Sequence, residues 1–440
     1  MHKCIGSDKV NKNVFHITLI LFLCIGNVTH ADTLNTELLN LEKEHPQIMS
    51  FQSQLSASQE GVRASFSAYL PRVDFTSDAG QEKVSNPALR STPEGPPTLG
   101  SETWGLTVTQ NVYDGGLKSA VRSVSKLTEN TVEHTLSSIT QAVLFEGITS
   151  YVDVLRQTKL VGLSTRNADN IRQQLDLEDA RVRRGAGIAV DVLSAKSRLQ
   201  LAEERLVFVN GGLINSISRY RQVFGHMPAP QKMQLANPKL NLIPNTRTDA
   251  IAIALAENPA VLVSGAQIDI ASKSRKTVKA EYFPNINIIF DGGYESDFSG
   301  LPGIKRDYAL RAQASWNLFN GLNTKHRDRQ AAHDIVARRR DHEQTRRKVE
   351  EQTKLSWQAL KTTQRRELLL ENAVNIASEV FESRKKLREA GKETVINVLD
   401  SENALFNAEI NYIGARFDAN LASYQLLLSM GRLTAQSANP

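Results

Sequence analysis

His326, His333 and His342 fall within one short stretch, and a metal centre or a proton relay is the chemistry they could support. None stands four residues from another, the spacing that sets two imidazoles on one helical face. No cysteine or paired carboxylate accompanies them, so no metal site is expected. Both cysteines, Cys4 and Cys24, sit at the extreme N-terminus, which leaves the rest of the chain without a thiol nucleophile, a thiolate ligand or a disulfide. Gly-rich phosphate loops and nucleophile elbows are missing as well. The chain reads as a protein that is not an enzyme and needs no cofactor. The tract from Arg338 to Glu351 is rich in arginine but mixed in sign, with Glu343 four residues before Arg347. That is a solvated helix face with paired charges, and the formal net charge of +6 is too mild to call for nucleic acid.

The remaining polar candidates gather at two turns that read alike. Arg184-Gly185-Ala186-Gly187-Ile188-Ala189-Val190-Asp191-Val192-Leu193 stands against Glu389-Ala390-Gly391-Lys392-Glu393-Thr394-Val395-Ile396-Asn397-Val398-Leu399, which Asp400 follows. One reading of Asp191 is purely local, since a carboxylate in the first turn of a helix is favoured by the helix dipole.

The elements around these turns are helical. Val398, Leu405, Tyr412, Ala419 and Leu426 form a heptad row, and Ser401, Ala408, Ala415, Ala422 and Ser429 form a smaller row beside it. About 206 residues earlier Val192, Leu199, Leu206, Leu213 and Tyr220 repeat the first row, and Ala195, Ala202, Val209, Ser216 and Val223 the second. Each turn closes a long tract without proline, Leu117 to Arg184 and Leu322 to Ala390. At 1.5 Å per residue each tract makes a helix of roughly 100 Å. Two shorter helices in each half, end to end, match that length.

Ahead of each long tract the period changes to two. The change follows Tyr69-Leu70-Pro71 in one half and Tyr282-Phe283-Pro284 in the other. Strands are predicted near 70–80, 104–114, 283–293 and 308–319. One face carries Val73, Phe75, Trp104, Leu106, Val108, Ile286, Ile288, Phe290, Tyr308, Leu310, Trp316 and Leu318, and the other is polar. Runs of this length suit tilted strands that cross a bilayer, although soluble half-buried hairpins show the same alternation. The connecting segments 81–103 and 295–307 are rich in Gly and Pro and read as exposed loops.

Residues 1–31 read as a secretory signal peptide. Lys3, Lys9 and Lys12 precede an apolar run from Val14 to Ile25, and Thr29-His30-Ala31 offers a cleavage site. A membrane anchor is the competing reading, and Leu23 is too bulky to favour lipidation of Cys24. The rest divides into a first repeat at 32–226, a linker at 227–247 with Pro228, Pro230, Pro238 and Pro244, a second repeat at 248–432 and a polar tail at 433–440.

Four strands cannot close a barrel, and an open sheet edge is not tolerated in lipid. A membrane reading therefore demands oligomerisation. Two copies would give eight strands and a filled interior, and three would give twelve and a channel.

At this point the chain resembles the TolC-type outer-membrane efflux proteins. The phrases that carry the likeness are the two Tyr-x-Pro corners, Gln110-Asn111-Val112-Tyr113-Asp114-Gly115-Gly116, Trp316-Asn317-Leu318-Phe319-Asn320-Gly321, and Gly391 followed by Asn397-Val398-Leu399-Asp400. The resemblance implies an α+β membrane protein, a homotrimer whose twelve-stranded β-barrel continues into a periplasmic coiled-coil barrel of helices. It implies outer-membrane lipid around the strands, and docking to an inner-membrane transporter of the ABC or RND type through a periplasmic adaptor protein. Its function would be multidrug efflux or type I protein secretion. The alternative is a periplasmic coiled-coil scaffold without a pore.

The resemblance also places the gate. In the family an Asp-Val-Leu-Asp phrase rings the closed periplasmic end, and here Asn397 leaves Asp400 as its one carboxylate. A latch carboxylate is matched by Asp191, its usual Tyr partner by Arg388, and a nearby latch Arg by Glu393. An Asp191–Arg388 ion pair is the expected substitute. Gly185, Gly187 and Gly391 are the tip-turn glycines.

Overall fold

The computed structural model describes residues 34–438 apart from 92 and 94–96. The signal peptide expected at 1–31, with Cys4 and Cys24, lies outside the described residues.

Each half opens with two helices separated by one capping residue. In the first half these are α1 (Leu34–Glu44) and α2 (Pro46–Phe66), where the His45 ring accepts from the Gln47 N–H at 3.3 Å. Pro46 takes the first helical position, where its missing N–H costs nothing. After β1 (Arg72–Lys83), α3 (Pro87–Arg90) and β2 (Thr98–Tyr113) come the long α4 (Leu117–Arg183) and α5 (Ala189–Phe224). The second half repeats the order: α6 (Arg247–Glu257), α7 (Pro259–Ala280), β3 (Asn285–Ser296), β4 (Ile304–Ser315), α8 (Asn323–Glu389) and α9 (Val395–Met430). Asn258 caps α7 through the Ala260 N–H at 2.9 Å.

The strands form one antiparallel sheet in the order β1-β2-β3-β4, so β1 and β4 are its two open edges. Register aligns Val73 with Val108, Val108 with Phe290 and Phe290 with Leu310, which builds one apolar face across all four strands. Much of this face is exposed: Phe75 is 66% accessible, Tyr308 and Leu310 74% each. The opposite face is polar. There Asp291 accepts from Thr107 at 3.0 Å and pairs with Arg311, and Lys305 bridges Glu295 at 3.1 Å and Asp307 at 3.7 Å.

The fourth strand stops earlier than its alternation suggests. The last pair is Asn285 with Ser315, and the next residue on β3's side is Pro284, which has no N–H to extend the ladder. Trp316 leaves the sheet and its indole N–H donates to the Tyr282 carbonyl at 3.1 Å.

α4 and α8 are 67 residues each, roughly 100 Å. α2 and then α5 run along α4, while α7 and then α9 run along α8. All twenty positions of the two heptad rows are buried or half-buried, with Ala195 and Leu426 at 0%. The main core lies at the middle of the long helices, where Leu144, Ile148, Tyr151 and Val152 of α4 meet Leu38, Tyr220, Leu360, Tyr424 and Leu427.

The polar tail packs back on the chain: Leu433 is 1% exposed, Ala435 2% and Ala438 0%. Apolar residues alternate there with polar ones, so the short segment can turn inward and fill the space beyond Gly431, where α9 ends. Its partner is the inter-repeat linker. Pro238 bridges to Ala438, and Lys239 N–H donates to the Ser437 carbonyl at 3.0 Å. The linker is itself held by the core: Tyr424 donates to the Ala236 carbonyl at 3.1 Å, and Tyr151 to that of Gln234 at 3.2 Å. Burial pushes the Tyr424 phenol well up.

Candidate functional site: the helix-tip turns

Both tips stop a long helix in the same way. Gly185 and Gly391 adopt the left-handed backbone at φ +77° and +72°. The N–H after each glycine then reaches back, Ala186 to the Arg181 carbonyl at 3.0 Å and Lys392 to that of Leu387 at 2.9 Å. These are Schellman caps, which satisfy the last helical carbonyls and turn the chain sharply. Gly187 has a steric reason instead. A Cβ there would lie 2.8 Å from Val182 Cγ2 and 2.9 Å from its backbone nitrogen. Gly187→Ala is therefore expected to cost about 1–3 kcal/mol through local overpacking, and Gly185→Ala about 1 kcal/mol through its backbone. Limited proteolysis at the first tip checks both, with faster cleavage in the Gly187 variant.

The helices leaving the turns are capped differently. Thr394 caps α9 through the Asn397 N–H at 3.3 Å. Glu393 Oε1 accepts from Asn397 Nδ2 at 2.6 Å and from the Thr394 N–H at 2.9 Å. Those two bonds, the Asn397 amide first, hold the Glu393 carboxyl below the usual carboxylate range. α5 has Ile188 at its cap position with no side-chain bond, and Asp191 stands in its first turn.

Two ion pairs and a hydrogen bond join the tip of one repeat to that of the other. Arg388 Nη2 donates to Glu178 Oε1 at 2.8 Å, and its Nη1 to the Glu393 carbonyl at 3.0 Å. Glu178 is buried, with its side chain 6% exposed, and also accepts from Arg181 at 3.0 Å. Within the protomer, then, Glu178 takes the guanidinium that was expected to pair with Asp191. Arg198 of α5 pairs with Asp400, and Gln174 of α4 donates to Glu402 at 3.0 Å. Ala195, Val395 and Leu399 close a small apolar cluster beneath them.

Glu178, Arg198 and Glu402 were not singled out from sequence. Arg198 carried a signal: Asp400 aligns with Ser194 in the doubled heptad, and Arg198 lies one helical turn beyond it. Glu178 and Glu402 carried none, because helical periodicity does not mark a buried acid. The histidines stay apart from this site. His342 shares a 2.8 Å hydrogen bond with Ser264, and among the described residues no cluster of His, Cys, Asp and Glu could hold a metal ion.

A polar-lined sheet with an exposed apolar face, carried on helices of about 100 Å, has counterparts among known proteins. The sequence profile described as outer membrane efflux protein matches residues 38–226 and 250–432. The chain belongs to the outer membrane efflux protein family. Efflux protein BepC of Brucella suis is 22% identical over 416 residues, covering 93% of this chain and 88% of BepC. TolC of Vibrio cholerae is 23% identical over 425 residues, 94% of this chain and 93% of TolC. Alkaline protease secretion protein AprF of Pseudomonas aeruginosa is 22% identical over 321 residues, 69% of this chain and 65% of AprF. Among solved structures, the CmeC outer membrane channel of Campylobacter jejuni superimposes with a TM-score of 0.78 at 12% identity, over 92% of this chain and 86% of that one. This efflux protein is therefore of the TolC type, an outer-membrane protein with a large periplasmic portion. Among the described residues no single helix is long and apolar enough to cross a membrane.

Proposed function

We propose that three copies of this chain join their sheets edge to edge, β1 of one against β4 of the next, into a twelve-stranded barrel. The observation that carries this reading is the sheet itself. Among the described residues it has two unpaired edges, a largely exposed apolar face and a polar face opposite. A strand of 12 residues tilted by about 40° spans roughly 30 Å, the hydrocarbon thickness. The α-helices of the three copies continue the barrel as a periplasmic tunnel. Substrates enter it from an inner-membrane transporter through an adaptor protein and leave to the cell exterior, as in drug efflux or type I secretion. The tip residues Asp191, Arg388, Glu393, Asn397 and Asp400, with Gly185, Gly187 and Gly391 in the turns, form the periplasmic gate.

Fractionation and bilayer recording test this together. The protein is expected in the outer-membrane fraction, to migrate as a trimer in unheated SDS gels, and to form ion-conducting pores. A urea-extractable monomer that never conducts overturns the reading in favour of a scaffold.

A further inference from the structure

A buried carboxyl lies between the two repeats. Glu402 of α9 is 4% exposed, and its Oε2 accepts from Gln174 Nε2 of α4 at 3.0 Å. Its other oxygen, Oε1, is closed off from solvent and has no donor in hydrogen-bonding geometry, with the Asn170 amide the next donor near the carboxyl, and Gln174 Oε1 is likewise closed off and unpaired. Two side chains that already share one hydrogen bond thus each keep an unpaired acceptor. Acceptors cannot bond to each other, but one proton would join them. A carboxylic acid O–H on Oε1 donates to the amide oxygen while Oε2 keeps the amide N–H, a cyclic acid–amide pair. The chain itself already covers both oxygens, so no second copy can supply the missing partner.

We propose that Glu402 is a proton-operated joint between the repeats: as a carboxylate it is tied to Gln174 of α4 by one hydrogen bond, and as a carboxylic acid by two. The proton comes from solvent and returns to it. A cleft of about 180 Å³ beside Glu402, lined by Arg166, Asn170, Phe381 and Glu409 among others, gives it a path.

The groups around the joint agree with this. From α4 Asn170 and Gln174 face the carboxyl, with Arg166 further along. From α8 it faces Lys385, and from α5 Arg198, which is committed to Asp400. On α9 itself Glu409 is one heptad away, and burial raises its carboxyl too. For Glu402 burial outweighs the opposing pull of Asn170, Gln174, Lys385 and Arg198, and its carboxyl titrates above the usual range. A raised carboxyl favours the folded joint at low pH. That support is complete below the ordinary carboxylate value and is lost as pH rises through the raised one. The joint therefore tightens as pH falls, when one tip is pinned more firmly to the other. Its bearing on conduction rests on the channel reading above.

Hydrogen exchange at residues 395–406 in the purified full-length protein tests the joint without needing a pore. From about pH 8 to about pH 4, after correction for intrinsic rates, protection is expected to rise about fivefold, the worth of one hydrogen bond. Glu402→Gln, whose amide can make both bonds to Gln174 at any pH, is expected to hold the protected value throughout. Gln174→Leu, which keeps the acid and removes its partner, is expected to abolish the step. A step unchanged in either variant overturns the proposal. Loss of the step with trimers and conductance intact, or its retention in a protein that forms no pore, separates this inference from the channel reading.

Discussion

Arg388→Ala is expected to loosen the helix tips by about 2 kcal/mol. The substitution strips a buried carboxylate of one of its two cations, since Glu178 is held by Arg388 and by Arg181. Removing one member of a buried pair typically costs about 3–5 kcal/mol, because the other charge is left desolvated. Here Arg181 remains, and the Arg388 side chain is 24% exposed, so the effect falls below that range. It is read as faster hydrogen exchange in 174–190 and 384–400, and as raised conductance of the resting pore in planar bilayers. Arg388→Lys keeps the charge and loses the planar fork, and should fall between. Asp191→Ala is expected to change tip exchange by about 0.5 kcal/mol or less, the scale of a helix-dipole contact. Equal effects at Asp191 and Arg388 would return the pairing to Asp191. An unchanged resting conductance in Arg388→Ala would remove these residues from the gate.

Deletion of residues 433–440 is expected to be at least as damaging, although the segment reads as a polar tail. Leu433 alone, at 1% exposure, contributes about 2–3 kcal/mol if its side chain is lost from a packed core. The deletion also removes the Lys239-to-Ser437 hydrogen bond and the Pro238–Ala438 bridge, which secure the linker between repeats. Thermal unfolding by circular dichroism should show a lower midpoint, and the yield of heat-resistant oligomers should fall. A shortened chain with wild-type melting would mean the linker holds itself.

The difference between these two regions shows what a sequence can reveal. The doubled heptad predicted α5 and α9 well because a seam of ten positions repeats one physical requirement, burial along a helix stripe. The strands were legible from alternation after each Pro, and their apolar face is the one the register builds. Their ends were less so. β4 ends at Ser315 because of Pro284 on the neighbouring strand, a constraint that lies outside β4's own residues. The packing of the tail is hidden from composition, which is polar on average while Leu433, Ala435 and Ala438 are buried. At the tips the turn glycines announced themselves, but the partner of Arg388 did not. Glu178 sits in an ordinary stretch of α4, and only the packing of the two repeats brings it to Arg388.

In the proposed channel the two open edges of the sheet are closed by other copies of the same chain. Single-particle imaging of the detergent-extracted outer-membrane protein tests it most directly. The expected particle has threefold symmetry, with twelve strands in one closed barrel and β1 of each copy hydrogen-bonded to β4 of the next. A particle of any other symmetry, or one in which β1 and β4 meet something other than each other, would contradict it.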